Sequence, residues 1–177
     1  MEKTGEHENL SNPKSLIEFA SQQKKNGKIV FDPKHDKMIV VFDADIFEKQ
    51  QNNYDEILKQ GKSDNILGIT NPSFELFLLL HYPNSVDELI IPNMENIIEN
   101  NWIGTKNNKR RYIEDLFRKK SNLRPKKDSA IGELANDIFI AIEQEKRINN
   151  DINHCKGIIT CNIGKIIQSI IDDQCND

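Results

Sequence analysis

The chain has 177 residues, 37% hydrophobic and 29% charged, with a formal net charge of −4. That length suits a single α/β domain spanning residues 1–177, with a core of its own and little room for a second. The acidic balance argues against a dedicated high-affinity nucleic-acid binder, though not against an enzyme meeting nucleic acid through a local basic patch and a bound metal.

Residues 1–11 are polar and are expected to fray. Asn12-Pro13 reads as an N-cap and first helical residue, with Leu16, Ile17, Phe19 and Ala20 lining an apolar side until about Asn26-Gly27. Residues 38–42 (MIVVF) form a short β-branched apolar run that predicts a central strand buried on both faces. A helix is expected over 48–60, with Tyr54, Ile57 and Leu58 on one side, then a second buried strand over 65–70 (NILGIT). Asn71-Pro72 is expected to start a helix, SFELFLLLHY, apolar nearly all round and therefore buried. This alternation predicts an α/β fold whose short, mainly parallel sheet is flanked by helices. From about residue 86 the chain reads as helix-rich, with helices over 86–100, 108–120, 129–148 and 160–172. In the last, Ile163, Ile166, Ile167, Ile170 and Ile171 form a 3.6-period stripe expected to pack in the core. The stretches 123–128 and 149–153 read as loops.

No run approaches the roughly 20 apolar residues of a membrane helix, and no early stretch reads as a signal peptide. The expectation is a cytoplasmic protein without membrane contact. Cys155, Cys161 and Cys175 cluster late without a CxxC pair and read as free thiols in a reducing compartment. A zinc site from His154, Cys155 and Cys161 has atypical spacing and no obvious fourth ligand.

The segment VVFDADIFE places Asp43 and Asp45 just beyond the first strand. Residues i and i+2 of an extended segment point the same way, so both carboxylates would converge where α/β sheets hold their ligands. Carboxylate oxygens suit a hard cation such as Mg²⁺ or Mn²⁺, with substrate phosphate oxygens as further ligands. The structural alternative is a loop opener or helix N-cap. NPSFE follows the next strand and could bring Glu75 beside the acidic pair, although an acid in the first turn of a helix also has a purely electrostatic reason to be there. His81, six residues on, reads more readily as a helix-end or core histidine than as a catalytic group.

NPKSLIEFA (residues 12–20), VVFDADIFE (40–48), ITNPSFELFLLLHY (69–82) and ITCNIGKIIQSI (159–170) together resemble the RloB-like family, TOPRIM-like proteins linked to restriction and abortive-infection loci. The resemblance implies a TOPRIM-type sheet, Mg²⁺-dependent phosphodiester cleavage of DNA or RNA, and an ABC-type ATPase partner in phage defence. It implies metal-facing roles for Asp43, Asp45 and Glu75, with Asn71 in the same block. The family pattern reads D-R-D, whereas Ala44 stands at its centre here. TOPRIM domains also begin with a glutamate-bearing strand. Glu2, Glu6 and Glu8 follow no apolar run, so the chain is expected either to lack that strand by truncation or to be a divergent member.

The segment GTKNNKRRYIEDLFRKK is the densest basic stretch, and Lys106, Lys109, Arg110 and Arg111 are the candidates for nucleic-acid contact. The alternative is a solvated helix face, with Glu114 and Asp115 paired to i+4 cations. Trp102 and Ile103 could be core, a partner surface or a stacking platform, with core expected for a lone Trp.

Three functions compete. The first is a metal-dependent nuclease holding Mg²⁺ on Asp43 and Asp45 with support from Glu75. The second is a catalytically inactive module docking on the ATPase. The third is a small-molecule phosphatase of the haloacid-dehalogenase type, weakened by Phe47 where that pattern has Thr or Val. Oligomeric state is left open.

Overall fold

The computed structural model describes residues 12–26, 30–45, 47 and 53–175. The expected fraying of residues 1–11 and the helix start over 48–52 lie outside these, as do Glu2, Glu6 and Glu8.

Helix α1 (Pro13–Lys25) begins as its sequence predicts. The Asn12 side-chain oxygen accepts from the Ser15 N–H at 2.9 Å, Pro13 occupies the first turn, and Lys24 and Lys25 face the negative end of the helix dipole. Strand β1 (Ile39–Asp43), helix α2 (Tyr54–Asp64) and strand β2 (Ile66–Asn71) follow. The two strands pair in parallel from Ile39↔Ile66 to Asp43↔Thr70, so α2 is the crossover of a βαβ unit. Gly61 lets α2 pack closely on β2: a Cβ there would lie 2.8 Å from the Leu67 methyl groups, which would have to shift.

The sheet is mixed rather than mainly parallel. A short strand β5 (Thr160–Cys161), beyond the hairpin described below, pairs antiparallel to β2 through Thr70↔Cys161 and Asn71↔Thr160. Where its backbone pairing ends, the Asn162 side chain continues it. Its amide accepts from the Ile69 N–H at 2.7 Å and donates to the Leu67 carbonyl at 2.8 Å. Sheet order β1-β2-β5 puts β1 on an edge among the described residues, and Val41 is 43% exposed. The expectation that β1 is buried on both faces therefore fails for one face. β2 is the central strand and is buried from Leu67 to Asn71.

Helix α3 (Glu75–Leu80) is buried throughout, as its all-round apolar sequence predicts, but begins later than Pro72. Asn71-Pro72 is a cis peptide, and residues 72–74 form the turn into the helix. The expected helix over 86–100 is broken into a π-helical turn (Val86–Ile90), a 3₁₀ turn (Ile91–Asn93) and helix α4 (Met94–Glu99). Pro92 has no N–H to continue a regular ladder at the break. Asn100 then ends α4 at φ 44°, in the left-handed region.

The expected helix over 108–120 is also shorter. Strands β3 (Trp102–Ile103) and β4 (Arg110–Arg111) form a separate hairpin, and helix α5 starts only at Tyr112, running to Ser121. Residues 129–148 divide into a 3₁₀ segment (Ser129–Asp137) and helix α6 (Ile138–Glu145). Helix α7 (Ile163–Cys175) follows β5. Its stripe is core at Ile163 and Ile166, Ile167 packs against that core half-buried, and Ile170 is exposed. Among the described residues no helix is long and apolar enough to cross a membrane.

The core has two clusters. One joins α1, α2 and the sheet through Ile17, Val40, Phe42, Ile57 and Leu67. The other joins α3 to α5, α6 and α7 through Leu76, Leu79, Ile113, Phe117 and Ala141. β2 and α3 connect them, so the β2–α3 turn is held from both sides. That turn leads into Glu75, beside the end of β1 that carries Asp43.

Candidate functional site

The carboxyl ends of β1 and β2 are neighbours because the strands are parallel and in register at Asp43↔Thr70. The Thr70 hydroxyl donates to Asp43 Oδ1 at 2.8 Å. Beyond β2 the chain turns through Pro72, Ser73 and Phe74, and the Phe74 backbone N–H also donates to Asp43. Glu75, the first residue of α3, is buried and accepts from the Ser73 hydroxyl at 2.6 Å.

Burial pushes the Asp43 carboxyl up to about 6 from 3.8. The Thr70 hydroxyl opposes that rise, the negative charges of Glu75 and Asp45 add to it, and the Phe74 N–H opposes it. Asp43 thus senses both other acids predicted from the sequence. Asp45 reaches the site by a different route from the one expected. The strand ends at Asp43 and the chain turns at Ala44, whose carbonyl accepts from the Phe47 N–H at 2.9 Å. Asp45 is therefore not an i+2 residue of an extended strand, yet it lines the same cavity as Asp43 and Glu75.

That cavity has a volume of about 320 Å³. The second half of the chain also lines it, with Asn100, Trp102, Arg111, Glu114 and Lys126. The β3–β4 hairpin positions Trp102 and Arg111, which are direct cross-strand partners. Gly104 makes the turn at φ +90°, and a Cβ there would sit 2.3 Å from the Asn108 carbonyl oxygen. Only glycine fits both demands.

The lone tryptophan is not core. Trp102 is 53% exposed, with the Arg111 guanidinium 4.4 Å and the Lys109 ammonium 5.2 Å from its ring centroid. Cation–π attraction of this kind, roughly 0.5–1 kcal/mol at exposed sites, gives the ring partners without burying it. Arg111 also donates to the Asn100 carbonyl at 3.1 Å.

The other basic candidates diverge. Arg110 turns away from the cavity onto the buried Asp115, donating from Nε at 2.7 Å and also from Nη2. Burial pushes the Asp115 carboxyl up, but hydrogen bonds from Lys119 and Arg110 outweigh it and hold the group below its ordinary range. Lys106 is exposed on the hairpin turn. Arg118 pairs with Glu114 and Lys119 with Asp115 at i+4 spacing, so the helical half of the basic stretch is an ion-paired face.

Asn71 and His81 stand outside the cavity lining. The Asn71 amide donates to the carbonyls of Cys155 (2.7 Å) and Ile158 (3.0 Å), tying the end of β2 to the loop before β5. His81 is buried at the end of α3, with Nδ1 2.9 Å from the Phe77 carbonyl oxygen, and burial lowers its pKa. Cys155 and Cys161 are buried, form no disulfide and sit in different core clusters, while the exposed His154 pairs with Asp151. The three do not converge as the zinc alternative requires.

Oxygen-only donors define the acidic wall, which matches a hard cation in chemistry. Among the described residues no group of three His, Cys, Asp or Glu side chains is arranged to hold a metal ion. Mg²⁺ is commonly held by one or two carboxylates with water and phosphate completing its shell, and Asp43 and Asp45 are the residues that could supply that share. Several residues of the site escape sequence reading: Thr70, Ser73, Asn100, Glu114 and Lys126. Lys126 lies in a Lys-rich loop, and nothing local to it signals a cavity 80 residues away in sequence.

No curated protein and no solved structure matches the chain. The RloB-like protein family model matches residues 1–170, covering the acidic strand end, the β2–α3 turn and the hairpin alike, and the chain belongs to that family.

Proposed function

We propose that this chain is a Mg²⁺- or Mn²⁺-dependent nuclease with a TOPRIM-like site, cleaving phosphodiester bonds of DNA or RNA in phage defence alongside an ABC-type ATPase. The observation that carries the reading is one cavity lined by carboxylates and cations together, with Glu114 of that lining already paired to Arg118. Asp43, Asp45 and Glu75 line the cavity together with Arg111 and Lys126. A site for a small neutral ligand has no need of both. A phosphodiester held by a divalent cation needs acids for the cation and bases for the remaining phosphate charge.

Asp43 and Asp45 would hold the cation, whose contribution is to neutralise phosphate charge. Thr70 and the Phe74 N–H orient the Asp43 carboxylate, leaving its direction fixed by two donors. Ser73 does the same for Glu75, which supports the pair from the adjoining turn. Arg111 binds and orients the phosphate backbone, and its bond to Asn100 fixes the stem of that contact. The ATPase partner and the defence setting rest on the family resemblance.

The test combines magnesium titration calorimetry with cleavage of labelled DNA and RNA by the full chain. Asp43→Ala and Asp45→Ala are expected to abolish Mg²⁺ binding and cleavage together. Unchanged binding and cleavage in both variants would overturn the reading. A second reading, a non-catalytic module docking on the ATPase, is favoured by the missing third metal-holding side chain among the described residues. Co-purification with the ATPase, without Mg²⁺-dependent cleavage by the pair, selects it.

A further inference from the structure

We infer that Trp102 and Phe74 form a stacking platform that makes the cavity selective for an unpaired nucleotide, so that the substrate is single-stranded or locally unwound nucleic acid. This rests on the nuclease reading and specifies its substrate class.

Both rings belong to the cavity lining and both keep a large free surface: Trp102 is 53% and Phe74 41% exposed. Neither is left out by accident of a loop tip. Phe74 sits in the turn whose N–H orients Asp43, and its ring is held against Phe77 at a centroid distance of 5.8 Å. Trp102 is held by its cross-strand partner Arg111 and by the glycine turn at Gly104. Two part-exposed aromatic rings therefore line a cavity whose other groups suit a phosphate and its cation. The volume of about 320 Å³ is at the low end of small-ligand pockets and accommodates a nucleotide rather than a double helix.

The chemistry of stacking selects between paired and unpaired bases. In a duplex each base face is covered by the next base, so protein rings meet edges and backbone only. An unpaired base can turn its face to an aromatic side chain or to an arginine plane. The Arg111 guanidinium and the Lys109 ammonium lie over the Trp102 ring, which still keeps half its surface, and a phosphate that draws them off uncovers more of the ring for a base. The two cations also supply positive charge at the ring for the backbone phosphates of a stacked nucleotide, which a purely apolar docking surface would not require.

Trp102 is the chain's one tryptophan, so its emission reports on this ring alone. The experiment uses the full chain with Ca²⁺ in place of Mg²⁺, a short end-labelled single strand, its blunt duplex, and a single strand carrying an abasic run. Affinity is read by anisotropy and stacking by quenching of tryptophan emission. The expected result is tighter binding and stronger quenching with the single strand than with the duplex or the abasic strand. Trp102→Ala should weaken single-strand binding by about 5- to 150-fold, the effect of losing one stacked base, while Trp102→Phe restores most of it. The exposed position keeps the melting temperature of both variants near that of the parent, which separates stacking from folding. Equal affinity for single strand and duplex, or unchanged single-strand binding in Trp102→Ala, overturns the inference. The nuclease reading survives that result if Asp43→Ala still abolishes cleavage. Binding of no nucleic acid at all overturns both.

Discussion

Replacing Asp43 by Asn should stabilise the metal-free protein at neutral pH while removing its response to Mg²⁺. The Asp43 carboxyl is raised from 3.8 to about 6, first by burial and then by Glu75 and Asp45. Between those values the folded chain keeps a proton that the unfolded chain has lost. That proton-linked stability is fully present below 3.8 and is lost as pH rises through about 6. At about 1.4 kcal/mol per pH unit, the ionised carboxylate costs the native state about 3 kcal/mol at neutral pH. Asn is isosteric and keeps the oxygen that accepts from Thr70. It loses one acceptor oxygen, which takes back about 1 kcal/mol. The net gain of about 2 kcal/mol corresponds to a rise in Tm of about 4–8 °C for a chain of this size. The assay is thermal unfolding in EDTA at about pH 7.5 and again at about pH 4, where the carboxyl is protonated and the difference should vanish. MgCl₂ should raise the Tm of the parent and leave Asp43→Asn unmoved, because a ligand stabilises only the state that binds it. In the parent the Mg²⁺ response should fade below about pH 6 as protons compete for Asp43. A lower Tm for Asp43→Asn in EDTA at neutral pH would refute the claim that Asp43 is a strained, ionised carboxylate awaiting a counter-charge.

The two adjacent arginines should separate cleanly. Arg110→Ala should lower stability by about 1–2 kcal/mol, the loss of a charge-assisted bond discounted because Lys119 remains on Asp115, whereas Arg111→Ala should leave Tm nearly unchanged. In nucleic-acid binding the order reverses, with Arg111→Ala reducing the log–log salt slope by about 0.7–0.9; equal salt slopes for the two variants would contradict the assignment. Gly104→Ala should cost about 1–3 kcal/mol of hairpin stability, because the neighbouring Asn108 carbonyl is backbone and φ is +90°, and should shift the Trp102 emission maximum; an unshifted spectrum would mean the turn does not position the ring. Glu145 accepts from the Gly164 N–H at 2.7 Å and the Lys165 N–H at 2.8 Å at the start of α7, so Glu145→Ala should lose about 2–4 kcal/mol by urea denaturation; a loss below about 0.5 kcal/mol would show that water replaces the carboxylate there.

Elements specified by neighbours in sequence were legible, and elements specified by distant contacts were not. α1 follows from Asn12-Pro13, and β1 and β2 from short β-branched runs bounded by polar residues. The same reasoning overextends β1's burial, since an apolar run does not reveal that its strand will be an edge. Residues 108–111 are polar and basic, hold no Gly or Pro, and so read as a first turn of α5. Arg110 and Arg111 become strand because Trp102 and Ile103 are there to pair with them, which depends on the glycine turn at Gly104. The mixed sheet is likewise unreadable locally: β5 is two residues long, and the Asn162 side chain supplies the pairing its backbone does not.

The site divides along the same line. Its acidic wall sits where two parallel strands end, a location that topology alone marks as a ligand site, so Asp43 and Glu75 can be picked out once β1 and β2 are recognised. Its other wall has no such rule. The ordinary prior places a lone tryptophan in the core, and the basic stretch beside it reads as one solvated face. The structure resolves that stretch by partner: Arg110, Arg118 and Lys119 each find a carboxylate on α5 itself, while Arg111 and Lys109 find the Trp102 ring. Cations satisfied by carboxylates are withdrawn from binding, because an incoming phosphate must compete with a charge already in place. Cations resting on an aromatic ring forgo far less when they turn to a phosphate, and the ring they leave is then free to take the base. Charge density along the sequence therefore overstates the binding surface, and the carboxylates of α5 decide which part of it remains available.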